Sequence, residues 1–128
     1  MSTNIEIVRE LYEAGTAGDL ERMLRHIDPG FICYEAPSLP YGGEYHGPEG
    51  LSRLFTAVFS RFDAFKVEVK ELLDAGPTVV VIINLRVTLK GSGRTVEMPV
   101  VEIWRLREGK VVELRPFYWD TAQLLPNA

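Results

Sequence analysis

This 128-residue chain carries a formal net charge of -4 at pH 7, with 46% hydrophobic and 25% charged residues. Those proportions are typical of a soluble globular domain and exclude a disordered or fibrous chain. The negative balance argues against a nucleic-acid-binding surface, and no apolar run approaches the roughly 18 residues that a membrane span needs. We therefore expect a single domain over residues 1–128 that has neither a nucleic-acid nor a membrane partner.

Cysteine and histidine are too scarce to build a metal site. Cys33 is the only cysteine and there are 2 histidines, so neither an internal disulfide nor a closed zinc site is expected. No glycine-rich run leads into a helix as phosphate-binding loops do, and we predict no metal and no cofactor. The start of the chain has no signal-peptide pattern, which predicts a cytoplasmic location.

Three helices are predicted in the first half of the chain. In the first, over residues 5–14, apolar residues recur every three or four positions, and residues 2–4 offer N-caps. Asp19 begins a shorter helix whose apolar stripe ends at Ile27, before an Asp-Pro-Gly stop. The third begins at Pro48 and its apolar stripe runs to Phe62.

The remaining segments predict strands. A short strand is expected over residues 31–35, and a loop rich in glycine and proline follows over 36–47. After the third helix come four strand-like stretches: 65–73, 78–89, 95–107 and 110–119. Short turns separate them and favour antiparallel neighbours, and one last helical turn is expected after Asp120. Helices followed by an antiparallel meander indicate an α+β domain, with the helices covering one face of a curved sheet.

One face of the stretch 95–107 carries a single charge. By the two-residue period of a strand, Glu102 shares this face with apolar residues: Val96, Met98, Val100, Trp104 and Leu106. A carboxyl group among apolar neighbours resists ionisation, because burial raises its pKa, and it can then donate a hydrogen bond or act as an acid. The alternatives are that Glu102 is exposed to solvent, or that it pairs with an arginine on a neighbouring strand.

Glu35 is the second carboxylate of interest. It ends the strand over 31–35 and precedes an Ala-Pro step, so we expect it at the mouth of whatever the sheet and helices enclose. That position suits a general base, and the alternative is a solvated glutamate at a strand end. Two carboxylates in different environments can divide into one base and one protonated donor, which moves protons near neutral pH.

Several local motifs follow one another over nearly the whole chain. They are AGDL at 17–20, FICYEAP at 31–37, GPEG at 47–50, EIWRLREGKV at 102–111 and PFYWD at 116–120. Their order resembles the nuclear transport factor 2-like superfamily, especially its SnoaL-like polyketide cyclase and ketosteroid isomerase branch. The resemblance implies a cystatin-like α+β roll, in which a curved antiparallel sheet forms a cone around N-terminal helices and a deep apolar pocket. It also implies a homodimer formed through the outer face of the sheet.

The same resemblance implies roles for individual residues. Glu35 corresponds to the base of ketosteroid isomerases, and Glu102 to the protonated acid of their oxyanion hole. Their oxyanion tyrosine lies in the first helix. A gap-free count back from Asp19 puts Leu11 at that position, with Tyr12 one residue later and about 100° around the helix. Tyr12 is thus the third candidate catalytic residue, and which tyrosine donates to an oxyanion stays open.

A set of apolar residues is expected to line the pocket and bind substrate. They are Leu11, Phe55, Phe59, Val100, Trp104, Phe117 and Trp119. Core packing is the alternative for Phe59, since aromatic residues at helical spacing are common in cores. Phe55 and Ile27 replace the tyrosines that support the oxyanion tyrosine in isomerases, so steroid isomerase activity itself is not expected.

These residues predict a cofactor-independent enzyme acting on a small or medium apolar carbonyl or polyketide-like compound. Glu35 would abstract a proton next to the carbonyl, and protonated Glu102 would stabilise the enolate oxygen. Isomerisation, cyclisation and dehydration all share that first step. The alternative is a non-catalytic module of the same fold that binds an apolar ligand or serves dimerisation. The homodimer is also expected from outward apolar residues such as Val101 and Ile103.

Overall fold

The computed structural model describes residues 2–126, which form three α-helices, six strands and one short 3-10 helix. In chain order these elements are α1 (Asn4–Thr16), α2 (Leu20–Leu24), β1 (Ile27–Glu35), β2 (Gly43–His46), α3 (Gly47–Phe59), β3 (Phe62–Ala75), β4 (Thr78–Leu89), β5 (Thr95–Arg107), β6 (Lys110–Tyr118) and the 3-10 helix (Thr121–Leu124). The 3-10 helix follows Asp120, where a last helical turn is predicted.

The strands form one curved sheet that does not close. Their order is β2-β1-β6-β5-β4-β3, and every neighbouring pair is antiparallel except β1 with β6. α1 packs against α2 and over β3 and β4, while α3 packs mainly against β1 and β2. The predicted α+β architecture, with helices covering one face of a curved and mostly antiparallel sheet, is confirmed.

Side chains cap the N-termini of the first two helices. At α1 the Glu6 N–H donates to the Thr3 hydroxyl, and the Thr3 N–H donates to the Glu6 carboxylate at 2.8 Å. This reciprocal pair satisfies donors that a helix start leaves without partners. At α2 the carboxylate of Asp19 accepts from the Arg22 N–H at 3.1 Å. Among residues 2–126, no helix has both the length and the apolar character to cross a membrane.

The strand β1 begins earlier than its sequence predicts. α2 ends at Leu24, so Ile27 is the first residue of β1 and not the end of a helix. Ile27 pairs with Val111, and the ladder to β6 is then irregular as far as Ile32. The irregularity accommodates Pro29, which has no N–H to donate to a ladder. The predicted Asp-Pro-Gly stop therefore lies inside a strand.

Two further boundaries differ from the predictions. The segment predicted as a loop over 36–47 contains β2, a four-residue edge strand that pairs with the end of β1. Phe62, which the apolar stripe assigned to the third helix, begins β3 and pairs with Leu89. Both differences arise at short connections, where pairing with a neighbouring strand overrides the local pattern.

The core lies between the helices and the inner face of the sheet. Every second residue of β4 is buried from Val79 to Leu89, and β5 repeats the alternation from Val96 to Leu106. The bounds of β4 and β5 and the predicted inner face of β5 are confirmed. Within that face only Glu102 keeps part of its surface exposed.

Close packing where α3 crosses β2 makes Gly50 a sensitive position. A methyl group added at Gly50 would stand 2.7 Å from the backbone carbonyl carbon of Tyr45. The backbone of Tyr45 cannot rotate out of the way as a side chain can. Gly50→Ala therefore forces α3 and β2 apart. We expect the substitution to lower the free energy of unfolding by about 1–3 kcal/mol, measured by urea denaturation.

Gly15→Ala is the matched control, because it also replaces a glycine within a helix. Its methyl group would meet only the flexible side chain of Met23, at 3.7 Å. We expect the better helix propensity of alanine to raise stability by about 0.5–1 kcal/mol. Equal effects of the two substitutions would contradict the importance of close packing at Gly50.

Candidate active site

Two glutamates from different strands face the interior. Glu102 lies on the inner face of β5, between the buried side chains of Val100 and Trp104. Glu35 is the last residue of β1 and follows Phe31 and Cys33 on the inner side of that strand. The side chain of Glu35 is only 6% exposed, and no ion pair among residues 2–126 includes either glutamate. The solvated and arginine-paired alternatives are therefore both wrong.

A tyrosine from α1 reaches Glu102. The Tyr12 hydroxyl donates a hydrogen bond to Oε1 of Glu102, and the indole N–H of Trp104 donates to the Tyr12 oxygen at 2.8 Å. The two rings meet edge to face, with their centroids 5.7 Å apart. Because an indole nitrogen can only donate, the Trp104 contact directs the proton of Tyr12 towards Glu102. Tyr12, and not the neighbouring Leu11, therefore contacts a candidate catalytic group.

A second hydrogen-bonded chain ends on Glu35. The Tyr118 hydroxyl donates to Oε1 of Glu35 at 3.1 Å, and the Tyr41 hydroxyl donates to that of Tyr118 at 3.1 Å. Tyr41 belongs to the segment between β1 and β2, and its backbone carbonyl accepts from the hydroxyl of Tyr45 at 2.8 Å. The two glutamates thus have separate sets of tyrosine partners.

The site residues predicted from the sequence do not include Tyr41 and Tyr118, which count there only among five tyrosines that could supply hydroxyls. A signal for Tyr118 existed, because it shares the inner face of β6 with Leu114 and Pro116 at two-residue spacing. Tyr41 had no such signal, since it lies outside any helix or strand and its position depends on how the chain turns after β1.

Burial raises the pKa of both carboxyl groups. Loss of solvent contributes most to raising the pKa of Glu35 to about 8, and the charge of Glu102 raises it further. Burial also raises the pKa of Glu102, against the hydrogen bond from Tyr12, which favours the ionised form. The two groups therefore titrate as a coupled pair, and at neutral pH the pair retains a proton that exposed glutamates would have lost.

The thiol of Cys33 lies near both glutamates but has no chemistry of its own. Its side chain is fully buried, and burial together with the two nearby carboxylate charges raises the pKa of the thiol. The thiolate is the nucleophilic and metal-binding form of cysteine, so this cysteine is inert. Within the described part of the chain, no group of three His, Cys, Asp or Glu residues is placed to hold a metal ion.

Five of the predicted wall residues lie on the inner side of the sheet or on the helices above it. Leu11, Val100 and Trp104 are buried, and Phe55 is partly buried. Phe59 is 53% exposed and packs edge to face on Phe65 of β3, with ring centroids 5.6 Å apart. Because Phe65 pairs with the buried Val87, these two rings mark an open apolar edge of the same inner face.

Phe117 and Trp119 lie on the opposite side of the sheet, which corrects their predicted placement in the pocket wall. Phe117 pairs with Val101 on the outer face and is 52% exposed, and Trp119 is 76% exposed. The register of β6 turns Pro116 and Tyr118 inwards, so the residues that alternate with them face outwards.

Comparisons with known proteins agree with this architecture. The family model for the SnoaL-like domain matches residues 8–114. No curated protein matches the chain. A nuclear transport factor 2-like protein from Burkholderia thailandensis is 29% identical, with 97% of this chain and 98% of that chain covered and a TM-score of 0.91.

Two further solved structures have the same fold. A protein from Jannaschia, described as a SnoaL-like polyketide cyclase, is 27% identical, with 94% of this chain and 88% of that chain covered and a TM-score of 0.80. TerC, co-crystallised with polyporic acid, is 23% identical, with 95% of each chain covered and a TM-score of 0.85. Since the family model extends over most of the chain, the chain belongs to the SnoaL-like domain family of the nuclear transport factor 2-like superfamily.

Proposed function

We propose that the protein is a cofactor-independent acid–base enzyme that removes a proton next to the carbonyl of a small or medium apolar compound. One observation carries the proposal: Glu35 and Glu102 are buried in the same interior, where loss of solvent and, next to it, the charge of Glu102 raise the pKa of Glu35 to about 8. A pair of carboxyl groups that retains one proton at neutral pH supplies a base and a proton donor at once.

The proposed first step needs only these two groups. A C–H bond next to the carbonyl breaks, its proton goes to the ionised carboxylate, and its electron pair moves to the carbonyl oxygen. The protonated carboxyl group then donates a hydrogen bond to that oxygen as its negative charge develops. Return of the proton to another carbon gives isomerisation, and attack by the enolate carbon gives cyclisation.

The chemistry of the surroundings supports an uncharged, apolar substrate. Val100 and Trp104, the inner-face neighbours of Glu102 on β5, are aliphatic and aromatic, and no ion pair of residues 2–126 includes either glutamate. An anionic substrate would add a second negative charge beside a pair that already holds one and resists further ionisation. The similarity to a protein described as a SnoaL-like polyketide cyclase favours a polyketide-like carbonyl compound.

A second candidate function is a ligand-binding module without catalysis. The burial of the Glu35 side chain favours it. The side chain of Glu35 is 6% exposed, and two surface grooves lie away from both glutamates. One groove, of about 490 Å³, lies on the outer side of β3, β4 and β5 between Lys66 and Glu97. The other lies on the solvent side of α3, from Ser52 to Ser60.

Substitution of each glutamate tests the acid–base function directly. The assay is exchange of deuterium from D₂O into the carbon next to the carbonyl of apolar ketones, followed by NMR, because it reports the first step alone. We expect Glu35→Gln and Glu102→Gln each to slow exchange by about 10²–10⁴-fold, as loss of a general acid or base does. Glu21→Gln, an exposed position on α2, is the control and should leave the rate unchanged.

The outcomes of this assay separate the two candidates. Unchanged exchange in both glutamine variants would remove the glutamates from the mechanism. Absence of exchange in the wild-type protein with every ketone, combined with saturable binding of the same ketones, would favour the binding module.

The raised pKa of Glu35 also makes stability depend on pH. In the unfolded chain this carboxyl group titrates near roughly pH 4.3, so between that pH and about 8 the folded protein binds the extra proton. Because the folded state holds more protons over this range, the free energy of unfolding falls as pH rises through it. We expect Glu35→Gln to flatten the dependence in urea denaturation, while Glu21→Gln follows the wild type. A wild-type stability that rises over this range would contradict the assignment.

We further propose that the protein associates with a second copy through an outer patch made of Ile82, Val101, Ile103, Phe117 and Trp119. Ile82, Val101 and Phe117 pair across three adjacent strands, and Phe117 and Trp119 are 52% and 76% exposed. A contiguous apolar surface of this kind marks an interface more often than open solvent. Identical faces meet in a two-fold dimer, so the patch pairs with itself.

The charges that flank the outer patch suit contact between identical faces. Arg86 pairs with Glu97 at 3.1 Å on one side, and Arg105 and Arg115 both lie within 3.6 Å of Glu113 on the other. Because these charges are paired within each chain, two copies can approach without strong like-charge repulsion.

Placing a charge in the outer patch tests the proposed dimer. We expect sedimentation at micromolar concentration to give twice the monomer mass for the wild type and the monomer mass for Ile103→Asp, because association would bury an unpaired carboxylate. Thr56→Asp, on the exposed side of α3, is the control and should stay dimeric. A monomeric wild type would overturn the proposal.

A further inference from the structure

We propose that Glu102 is the catalytic base and Glu35 the proton donor, the reverse of the roles that the family resemblance implies. The assignment rests on the acid–base function proposed for this pair. It follows because the groups around Glu102 stabilise an ionised carboxylate more than the groups around Glu35 do.

The surroundings of Glu102 favour its ionised form. Tyr12 donates to Oε1 of Glu102, and the Trp104 N–H donates to the same tyrosine oxygen at 2.8 Å. Since an indole N–H cannot reverse, a Glu102 that donated to Tyr12 would leave the phenol proton without a partner among residues 2–126. A donor that itself receives a hydrogen bond is also polarised and donates more strongly.

The surroundings of Glu35 favour its neutral form. Among residues 2–126 the carboxyl group of Glu35 receives one hydrogen bond, from Tyr118 at 3.1 Å, and the supporting bond from Tyr41 to Tyr118 is also 3.1 Å. Both exceed the usual length of O–H···O bonds, which ends at about 3.0 Å, whereas bonds to charged carboxylates are shorter than neutral ones. Glu35 is only 6% exposed. Solvent therefore adds almost nothing to the weak stabilisation that these hydroxyls give to a carboxylate charge.

No cation in the described part of the chain, residues 2–126, is among the groups that shift the pKa of either glutamate. The ionisable groups that act on the two glutamates, or are acted on by them, are Tyr12, Cys33, Tyr41, Tyr45 and Tyr118. All of them are neutral at physiological pH. The guanidinium of Arg53 on α3 acts on Tyr45 and on neither glutamate. Electrostatics agree with the geometry, because the charge of Glu102 is among the causes that raise the pKa of Glu35 to about 8.

The reaction then has a defined direction. The proton of the substrate C–H bond passes to the ionised carboxylate of Glu102, and the electron pair moves to the substrate oxygen. The O–H of Glu35 donates to that oxygen, and Glu102 returns its proton to the substrate carbon in the last step. Charge and protons balance without any other reactant.

The dependence of kcat/KM on pH, compared between the wild type and the two glutamine variants, distinguishes the two assignments. The assay is deuterium exchange into an apolar ketone. With Glu35 as donor, the rate falls tenfold per pH unit above about 8, because the donor loses its proton. With Glu35 as base, the pair must also hold one proton, so the wild type would keep its alkaline limb, but Glu35→Gln would then be the slower of the two glutamine variants, which would overturn the proposal. We expect Glu35→Gln to lose this alkaline limb and to be slowed less than Glu102→Gln, since an amide N–H can still donate a hydrogen bond to the substrate oxygen. Glu102→Gln has no base and should lose more than a hundredfold.

Tyr12→Phe adds a readout that a structural role alone would not move. Loss of the Tyr12 hydroxyl removes the bond that favours ionised Glu102, so we expect the acidic limb of the profile to shift to higher pH. An unchanged acidic limb would contradict the role of Glu102 as base.

A measurement without substrate keeps the charge assignment separate from the proposed function. In protein labelled with ¹³C at the glutamate carboxyl groups, we expect Glu35 to be protonated and Glu102 ionised at pH 7, with signals assigned from Glu35→Gln and Glu102→Gln. The opposite order overturns the assignment whatever the activity. Should the expected order hold without exchange of any ketone, the proposed function fails and the catalytic roles fail with it.

Discussion

The removal of two carboxyl groups from solvent is the constraint on which the rest of the site depends. A carboxylate in an apolar interior is costly unless hydrogen bonds or opposite charges replace its lost solvent. Within residues 2–126 no ion pair provides this, and tyrosine hydroxyls do so instead, Tyr12 for Glu102 and Tyr118 for Glu35. Hydroxyls stabilise a charge less than a cation does, so the pair remains poised between its neutral and ionised forms. The same imperfect compensation lowers stability at alkaline pH, which is a common cost of a functional site.

Periodicity predicts the centre of the sheet well and its margins poorly. β4 and β5 have the predicted bounds because strict alternation between buried and exposed residues leaves only one way to face the core. β2 is half exposed along its length and has no such alternation, so only its pairing with β1 defines it. Ile27 fits a helical stripe locally, but pairing with Val111 assigns it to a strand. Long-range contacts of this kind are not encoded in a local pattern.

The residues of the candidate site also differ in how well the sequence predicts their positions. Glu102 could be placed from its neighbours, since its face of β5 is otherwise apolar, and Glu35 from the turn that follows it. The sequence leaves Leu11 and Tyr12 as alternatives, because one residue on a helix changes the direction of a side chain by about 100°, and only the packing of α1 decides which of the two faces the sheet. Tyr41 could not be predicted, since its contact with Tyr118 joins residues 77 positions apart. The partners that tune the acids are thus less visible in the sequence than the acids themselves.

The open ends of the sheet have a consequence for how the protein behaves in a crowded solution. A sheet that does not close presents two edge strands, and unpaired edges invite other chains to add a strand. Here β2 is only four residues long, and β3 is irregular between Val69 and Glu71 and carries alternating charges at Lys66, Glu68 and Lys70. Short length, a bulge and charge are devices that block edge-to-edge growth. Chains of this protein are thereby protected from forming continuous intermolecular sheets, even though the apolar edge near Phe65 remains uncovered.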